Sequence, residues 1–355
     1  MTSLERILAA SERKKTDRPC SSLRCTPEAW ESLRTYFSVS TNLEVMDILD
    51  IDLRWVGASF TGPEGKCAVP LGSEGYDFWG CRTRAVKNEF NTYYEFDYHP
   101  LQSAETVKDI DAHDWPSLDW WDYNSIRDQA EAHDSADKRA HMYFAGGVFE
   151  TPWYMRGMET FFMDMYMNPE MVKAICIHVG DYYEARAWRA IEAAGDCIHM
   201  IGSGGDIGGQ RGMLLAPDMW REHIKPHSAR LISPFREKGF MTFYHSCGSM
   251  VPVIDDLIEV GLQFLDPIQI TAEGMQPEPL ASQFGDRLSF HGAVDEVELL
   301  PHATPSEVYQ ETIKLIDVLG KRNGFIVSPS HQVQGDTTPE NIEAIFKAVK
   351  DYPNL

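Results

Sequence analysis

The sequence predicts an α/β protein, a (β/α)8 TIM barrel with an N-terminal β-hairpin excursion, and three observations carry that expectation. From about Lys138 onward, short apolar runs alternate with longer segments of helical period, the pattern of βα units that feed a parallel sheet. Six such runs, with two more upstream, make eight candidate strands, the number that closes a barrel. The sharpest polar motif, Tyr244-His245-Ser246-Cys247-Gly248, falls where one of these strands ends and a helix begins, the end at which barrels of this kind carry chemistry.

In chain order, Met1 to Arg18 reads as an amphipathic helix with Leu4, Ile7 and Leu8 on one stripe, and it lacks the apolar core of a signal peptide. Arg18 to Arg24 and Leu53 to Ala58 supply the two upstream strands. Cys67 to Tyr98 has glycine-rich turns and alternating aromatics (Tyr76, Phe78, Trp79, Phe90, Tyr93, Tyr94, Phe96), and reads as a β-hairpin lying over the barrel mouth. Asp111 to Asp137, acidic and rich in tryptophan, reads as a surface helical connection.

The remaining strands are expected at Met142 to Val148, Cys197 to Ile201, Met241 to Tyr244, Phe264 to Ile268, Leu288 to His291 and Phe325 to Val327. Helices are expected at Pro169 to Ala194, Pro217 to Lys238, Met250 to Val260, Pro305 to Leu319 and Pro339 to Val349. Proline opens several of them, where its missing N–H costs nothing, and Thr304 and Thr338 are candidate N-caps. No repeat, low-complexity tract or long linker interrupts the chain, so residues 1–355 read as a single domain.

Composition narrows the function classes. A formal charge of −22 argues against a nucleic-acid partner, which needs clustered Lys and Arg to displace counterions. No run of about 18 apolar residues is present to span a membrane. Seven cysteines without a closely spaced framework point to a reducing, cytoplasmic setting.

Alternation along an extended segment lets His245 and Cys247 point the same way, toward one ion, and zinc favours such nitrogen and sulfur donors. A third ligand must come from another strand end: His331, Asp266 and His291 are the candidates, with His331 first because its whole segment is polar just past an apolar strand. An isolated His-x-Cys also arises as a hydrogen-bonded histidine beside a small buried cysteine. Asp206 and Arg211 flank a glycine-rich turn, and read either as substrate contacts or as parts of the turn itself. Glu150, Tyr154 and Arg156 follow another strand and either line the mouth or form structural ion pairs. Asp295 and Asp266, near strand ends, are candidates for a fourth ligand, an orienting partner for a ligand histidine, or a general base.

Four segments occur in order: Gly205-Asp206-Ile207-Gly208-Gly209-Gln210-Arg211-Gly212, the His245-Ser246-Cys247-Gly248 run, Gly285-Asp286-Arg287-Leu288-Ser289-Phe290-His291-Gly292-Ala293-Val294-Asp295, and His331-Gln332-Val333-Gln334 followed by Thr338-Pro339-Glu340-Asn341-Ile342. Together they resemble the uroporphyrinogen decarboxylase superfamily, most closely its methyltransferase-like and uncharacterised branches, over most of the chain and most strongly from Ala145 to Val349. The resemblance implies a (β/α)8 fold with its active site in the barrel mouth. In the family's corrinoid-linked thiol methyltransferases, a His-x-Cys motif and a later cysteine hold a zinc that activates a thiol to accept a methyl group from methylcobamide.

His245 and Cys247 match the first two of those ligands, and His331 stands at the position of the later cysteine. One thiolate with two imidazoles leaves zinc a net charge of +1, a stronger Lewis acid but a poorer activator of a bound thiolate. The arginine-rich N-terminal motif of true uroporphyrinogen decarboxylases is missing from Arg18-Pro19-Cys20-Ser21-Ser22-Leu23-Arg24. The expectation is therefore a zinc-dependent methyltransferase acting on a small molecule. His245, Cys247, His331 and Asp266 are placed at the metal, Asp295, Asp206 and Glu150 in catalysis, and Tyr154, Arg156, Arg211 and His291 at the substrate. No corrinoid-binding DxHxxG run occurs, so a corrinoid would be delivered by a partner protein. A metal-dependent lyase or decarboxylase acting on a small anion is the alternative, and the resemblance is compatible with a homodimer.

Overall fold

In the computed structural model, which describes residues 1–68, 73–90, 92–134 and 137–352, eight strands form the barrel. They are β1 (Cys20–Ser21), β2 (Leu53–Val56), β3 (Ala140–Gly147), β4 (Met200–Gly204), β5 (Met241–His245), β6 (Phe264–Ile268), β7 (Ser289–Val294) and β8 (Phe325–Pro329). Neighbours from β2 through β8 pair parallel in chain order, and β8 pairs with β1. A parallel bridge between Ser22 and Leu53 joins β1 to β2 and completes the ring.

Alternation sorts the side chains. Cys20, Leu53, Ala140, Met142, Met200, Met241, Phe243, Phe264 and Ile326 pack inside with Ile7 and Ala10 of the N-terminal helix, whereas Leu23, Val327, Phe290, Leu265 and Tyr244 face the surrounding helices. That first helix spans only Ser3–Ser11, capped by Thr2 and Glu5, and ends before Arg13, whose φ of 56° is left-handed. It closes the bottom of the barrel: Ser289 Oγ donates to the Ala10 carbonyl and Gln263 Nε2 to the Ser11 carbonyl. The open end is therefore the mouth formed by the strands' C-termini.

Several boundaries differ from the sequence expectation, each for a local reason. The segment Pro217 to Lys238 is three short helices, Pro217–His223, Lys225–Arg230 and Ser233–Glu237, because Pro226 and Pro234 each remove a helical donor. Met250 to Val260 opens with a 3-10 turn at Val251–Val253, around Pro252, before the helix Ile254–Glu259. Cys197 lies in a 3-10 turn, and its strand runs from Met200 to Gly204, past the expected end at Ile201. Gly202 belongs in that strand because a Cβ there would lie 2.8 Å from the Phe144 ring, which fills the interior across it. Thr304 caps its helix reciprocally with Glu307, whereas the Thr338 side chain makes no cap bond.

The excursion is larger than a hairpin. Lys66–Cys67 and Gly75–Asp77 pair parallel and extend the antiparallel pair Arg82–Lys87 and Thr92–Tyr98. It packs beside the mouth: Phe96 lies 4.5 Å from the Tyr154 ring, and Trp79 Nε1 donates to Tyr183 Oη at 3.3 Å. The tryptophan-rich stretch contains a 3-10 turn, Leu118–Trp120, and a helix, Ser125–His133; its Trp121 indole donates to Tyr182 Oη at 2.7 Å and packs under Arg186. Among the described residues no helix is long and apolar enough to cross a membrane.

Candidate metal centre

Strand β5 delivers His245 to the inside of the mouth, and the chain then turns through Ser246-Cys247-Gly248. Neighbouring loops hold this turn by its amides. Ser246 N donates to the Asp266 carbonyl (2.7 Å), Cys247 N to Asp206 Oδ1 (2.8 Å), Gly248 N to Gln269 Oε1 (2.8 Å) and Ser249 N to the Gly209 carbonyl (2.8 Å). Gly248 is required here: its φ is +76°, and a Cβ would lie 2.5 Å from the Gly208 carbonyl carbon.

His245 Nδ1 donates to Asp266 Oδ2 at 2.5 Å, which fixes the ring and turns Nε2 toward Cys247 Sγ, 3.7 Å away. An N–S edge of tetrahedral zinc, with bonds of roughly 2.0 and 2.3 Å, is about 3.5 Å long. His331 enters from the loop after β8, which Ser330 ties to the Val294 carbonyl and Val333 N to the Arg24 carbonyl. The ligand atoms of His245, Cys247 and His331 all lie within 4.8 Å of one another, and two imidazole nitrogens with one thiolate form a donor set of the kind zinc takes.

Protonation follows from the surroundings. Burial pushes His331 down to about 4, with the cationic His245 and Arg24 nearby acting in the same direction, so it is a neutral, ligand-ready imidazole. Burial works against the His245 cation, but Asp266 and then Asp206 outweigh it and hold that imidazole well above its ordinary range. Burial pushes the Cys247 thiol up, with His245 pulling the other way. Metal binding here therefore releases protons.

Asp266 is not placed as a ligand. Fully buried, it gives Oδ2 to His245 and Oδ1 to His291 Nδ1 at 2.5 Å, while Arg24 Nη2 approaches Oδ2 at 3.1 Å. Burial alone would raise this carboxyl, but Arg24, His291 and His245 hold it well below the usual range. It positions His245 from behind.

Asp206 lies on the metal side, with Oδ1 3.4 Å from His245 Nε2. Glu150 sits beside it, accepting from Tyr154 Oη at 2.8 Å, and is pushed up to about 7 by burial and then by Asp206. Three expected site residues are placed elsewhere. Asp295 accepts from the amides of Val297 and Glu298 and so holds the turn after β7. Arg156 is buried, paired with Asp164 at 2.8 Å and bonded to the carbonyls of Leu101 and Ala104, which ties the excursion to the barrel. Arg211 is exposed on the turn between Gly208–Gly209 and Gly212–Met213, at the rim. Sequence reading missed Arg24 and Gln269. Arg24 was reachable, since it shares the inward parity of Cys20 and Ser22.

A parallel eight-stranded barrel with a His-Cys-His cluster at its mouth is the class of protein that this geometry defines. A model of the uroporphyrinogen decarboxylase (URO-D) family matches residues 106–352, and the chain belongs to that family. It is 19% identical over 206 residues to the methylcobamide:CoM methyltransferase MtbA of Methanosarcina acetivorans, covering 58% of this chain and 56% of that protein. It is 24% identical over 137 residues to the uroporphyrinogen decarboxylase of Thermus thermophilus, covering 39% of this chain and 38% of that one. The chain thus matches little more than half the length of the first relative and less of the second. Among solved structures, a methyltransferase from Methanosarcina mazei shares the fold, with a TM-score of 0.69 at 14% identity over 99% of both chains.

Proposed function

We propose that this chain is a zinc-dependent methyltransferase that moves a methyl group from a methylcobamide, carried by a separate corrinoid protein, to a small thiol. The observation that carries this reading is the convergence of His245, Cys247 and His331 within 4.8 Å, on a barrel whose relatives include a methylcobamide:CoM methyltransferase. Bound there, zinc would supply Lewis acidity that favours the deprotonated acceptor. The chain's own residues do the rest. Asp266 keeps His245 Nδ1 occupied, which leaves Nε2 as the nitrogen that would hold the ion. Asp206, 3.4 Å from that Nε2, takes the acceptor's proton at its carboxylate, and Glu150 beside it buffers the proton near neutrality. Tyr154 fixes Glu150.

In the reaction the methyl–cobalt bond breaks heterolytically, the methyl–sulfur bond forms, both electrons of the broken bond stay on cobalt as cob(I)amide, and the thiol proton goes to Asp206. Visible absorbance follows it: the zinc-loaded chain with methylcobalamin and a thiol is expected to accumulate cob(I)alamin. Cys247→Ala is expected to fall to the rate of the reagents alone. Carbon dioxide release from a small acid, with no cob(I)alamin formed, would favour a metal-dependent decarboxylase instead. The specific observation behind that second reading is His331 in place of a second thiolate, which leaves the ion more electrophilic.

A further inference from the structure

Beneath the metal cluster, the inner wall formed by the four adjacent strands β7, β8, β1 and β2 carries a set of buried polar atoms with no partner among the described residues. They are Ser22 Oγ, Arg24 Nε, Trp55 Nε1, His291 Nε2 and Ser328 Oγ. Alternation aims all five residues inward. Ser22 lies between Ser21, bonded outward to the Asp50 carbonyl, and Leu23 of the outer core; Ser328 follows the outward Val327. Ser21 pairs with Val327, so Ser22 and Ser328 face each other one step further along. The Arg24 guanidinium lies 5.1 Å from the Trp55 ring centre, and Arg24 and His291 share Asp266. Ser22 and His291 are 0% exposed and Ser328 is 1% exposed, so bulk water does not satisfy these atoms.

Buried polar atoms without partners are uncommon, and a group of them on one wall calls for an occupant. Their chemistry is lopsided. Arg24 Nε and Trp55 Nε1 only donate, both serine hydroxyls can donate, and the one obligate acceptor is His291 Nε2, whose other nitrogen is committed to Asp266. An occupant must therefore be rich in acceptors, which a carboxylate is and an amide or alcohol is not. We propose that this wall is a subsite for the carboxylate end of a small organic acid, entering from the mouth beside the metal cluster. It stands on the barrel interior and does not depend on metal being bound.

Propionate and its neutral amide, propionamide, titrated calorimetrically into the purified chain, test the subsite. Saturable propionate binding is expected, with propionamide at least about tenfold weaker. Trp55→Phe, Ser328→Ala and Ser22→Ala, which delete one donor each, should each weaken propionate about tenfold or more. Cys247→Ala should bind propionate as the parent does. No saturable propionate binding, equal binding of the amide, or affinity unchanged in all three subsite variants would overturn the proposal. So would loss of binding in Cys247→Ala, which would place the acid on the metal. A chain that takes up no zinc but binds propionate in this pattern would remove the metal reading and leave the subsite standing.

Discussion

Asp266→Ala is expected to lower zinc affinity by about 10- to 100-fold and to cost the fold about 3–5 kcal/mol. This carboxylate is fully buried and serves three partners at once: His245, His291 and Arg24. Removing it frees His245 to rotate, so that Nε2 no longer faces Cys247. It also strands the largely buried Arg24 guanidinium without its counter-ion, which is the larger part of the stability loss. Asp266→Asn keeps the shape and one acceptor oxygen, and can serve one histidine but not both; both effects should be intermediate. Competition with a chromophoric chelator measures the affinity, and denaturant midpoints measure the stability. Unchanged affinity in Asp266→Ala would mean that His245 does not bind the ion through Nε2.

Gly248→Ala is expected to cost about 3 kcal/mol and to displace Cys247. A left-handed φ of +76° disfavours any side chain, at about 1 kcal/mol or more. The added Cβ would also stand 2.5–2.7 Å from the Gly208 carbonyl and the Gly209 amide nitrogen, and backbone on both sides leaves nothing flexible to yield. Because the Cys247 amide is held by Asp206 just after the Gly205 turn, separating the two loops moves a ligand and a carboxylate together. Denaturant unfolding and zinc uptake should both report it. A stable, metal-replete Gly248→Ala would show that the turn relaxes without disturbing Cys247.

The barrel was legible because its strands are buried on both faces and therefore read as short apolar runs, and because Pro305 and Pro339 mark helix starts. What escaped was set by contact across the chain. The strand expected to end at Ile201 runs on to Gly204, and Gly202 and Gly204 leave space for Phe144. Prolines mark helix starts but also divide one long periodic stretch into three helices. At the site, His245, Cys247 and His331 were legible from residue type and strand-end position. The role of Asp266 was open, since a carboxylate at a strand end either ligates or orients, and only the positions of His291 and Arg24 around it decide. Asp295 and Arg156 misled for a similar reason: each lies close to the mouth in sequence, but backbone groups of the adjoining segments claim it. The unpartnered wall of Ser22, Trp55 and Ser328 carried no motif at all, because its members come from three strands and meet only when the ring closes.

Metal content by elemental analysis, on protein purified without added metal, bears most directly on the His-Cys-His centre. About one zinc per chain in the parent, lost in both Cys247→Ala and His331→Ala, is the expected result; no metal in the parent, or metal unaffected by either change, would contradict it.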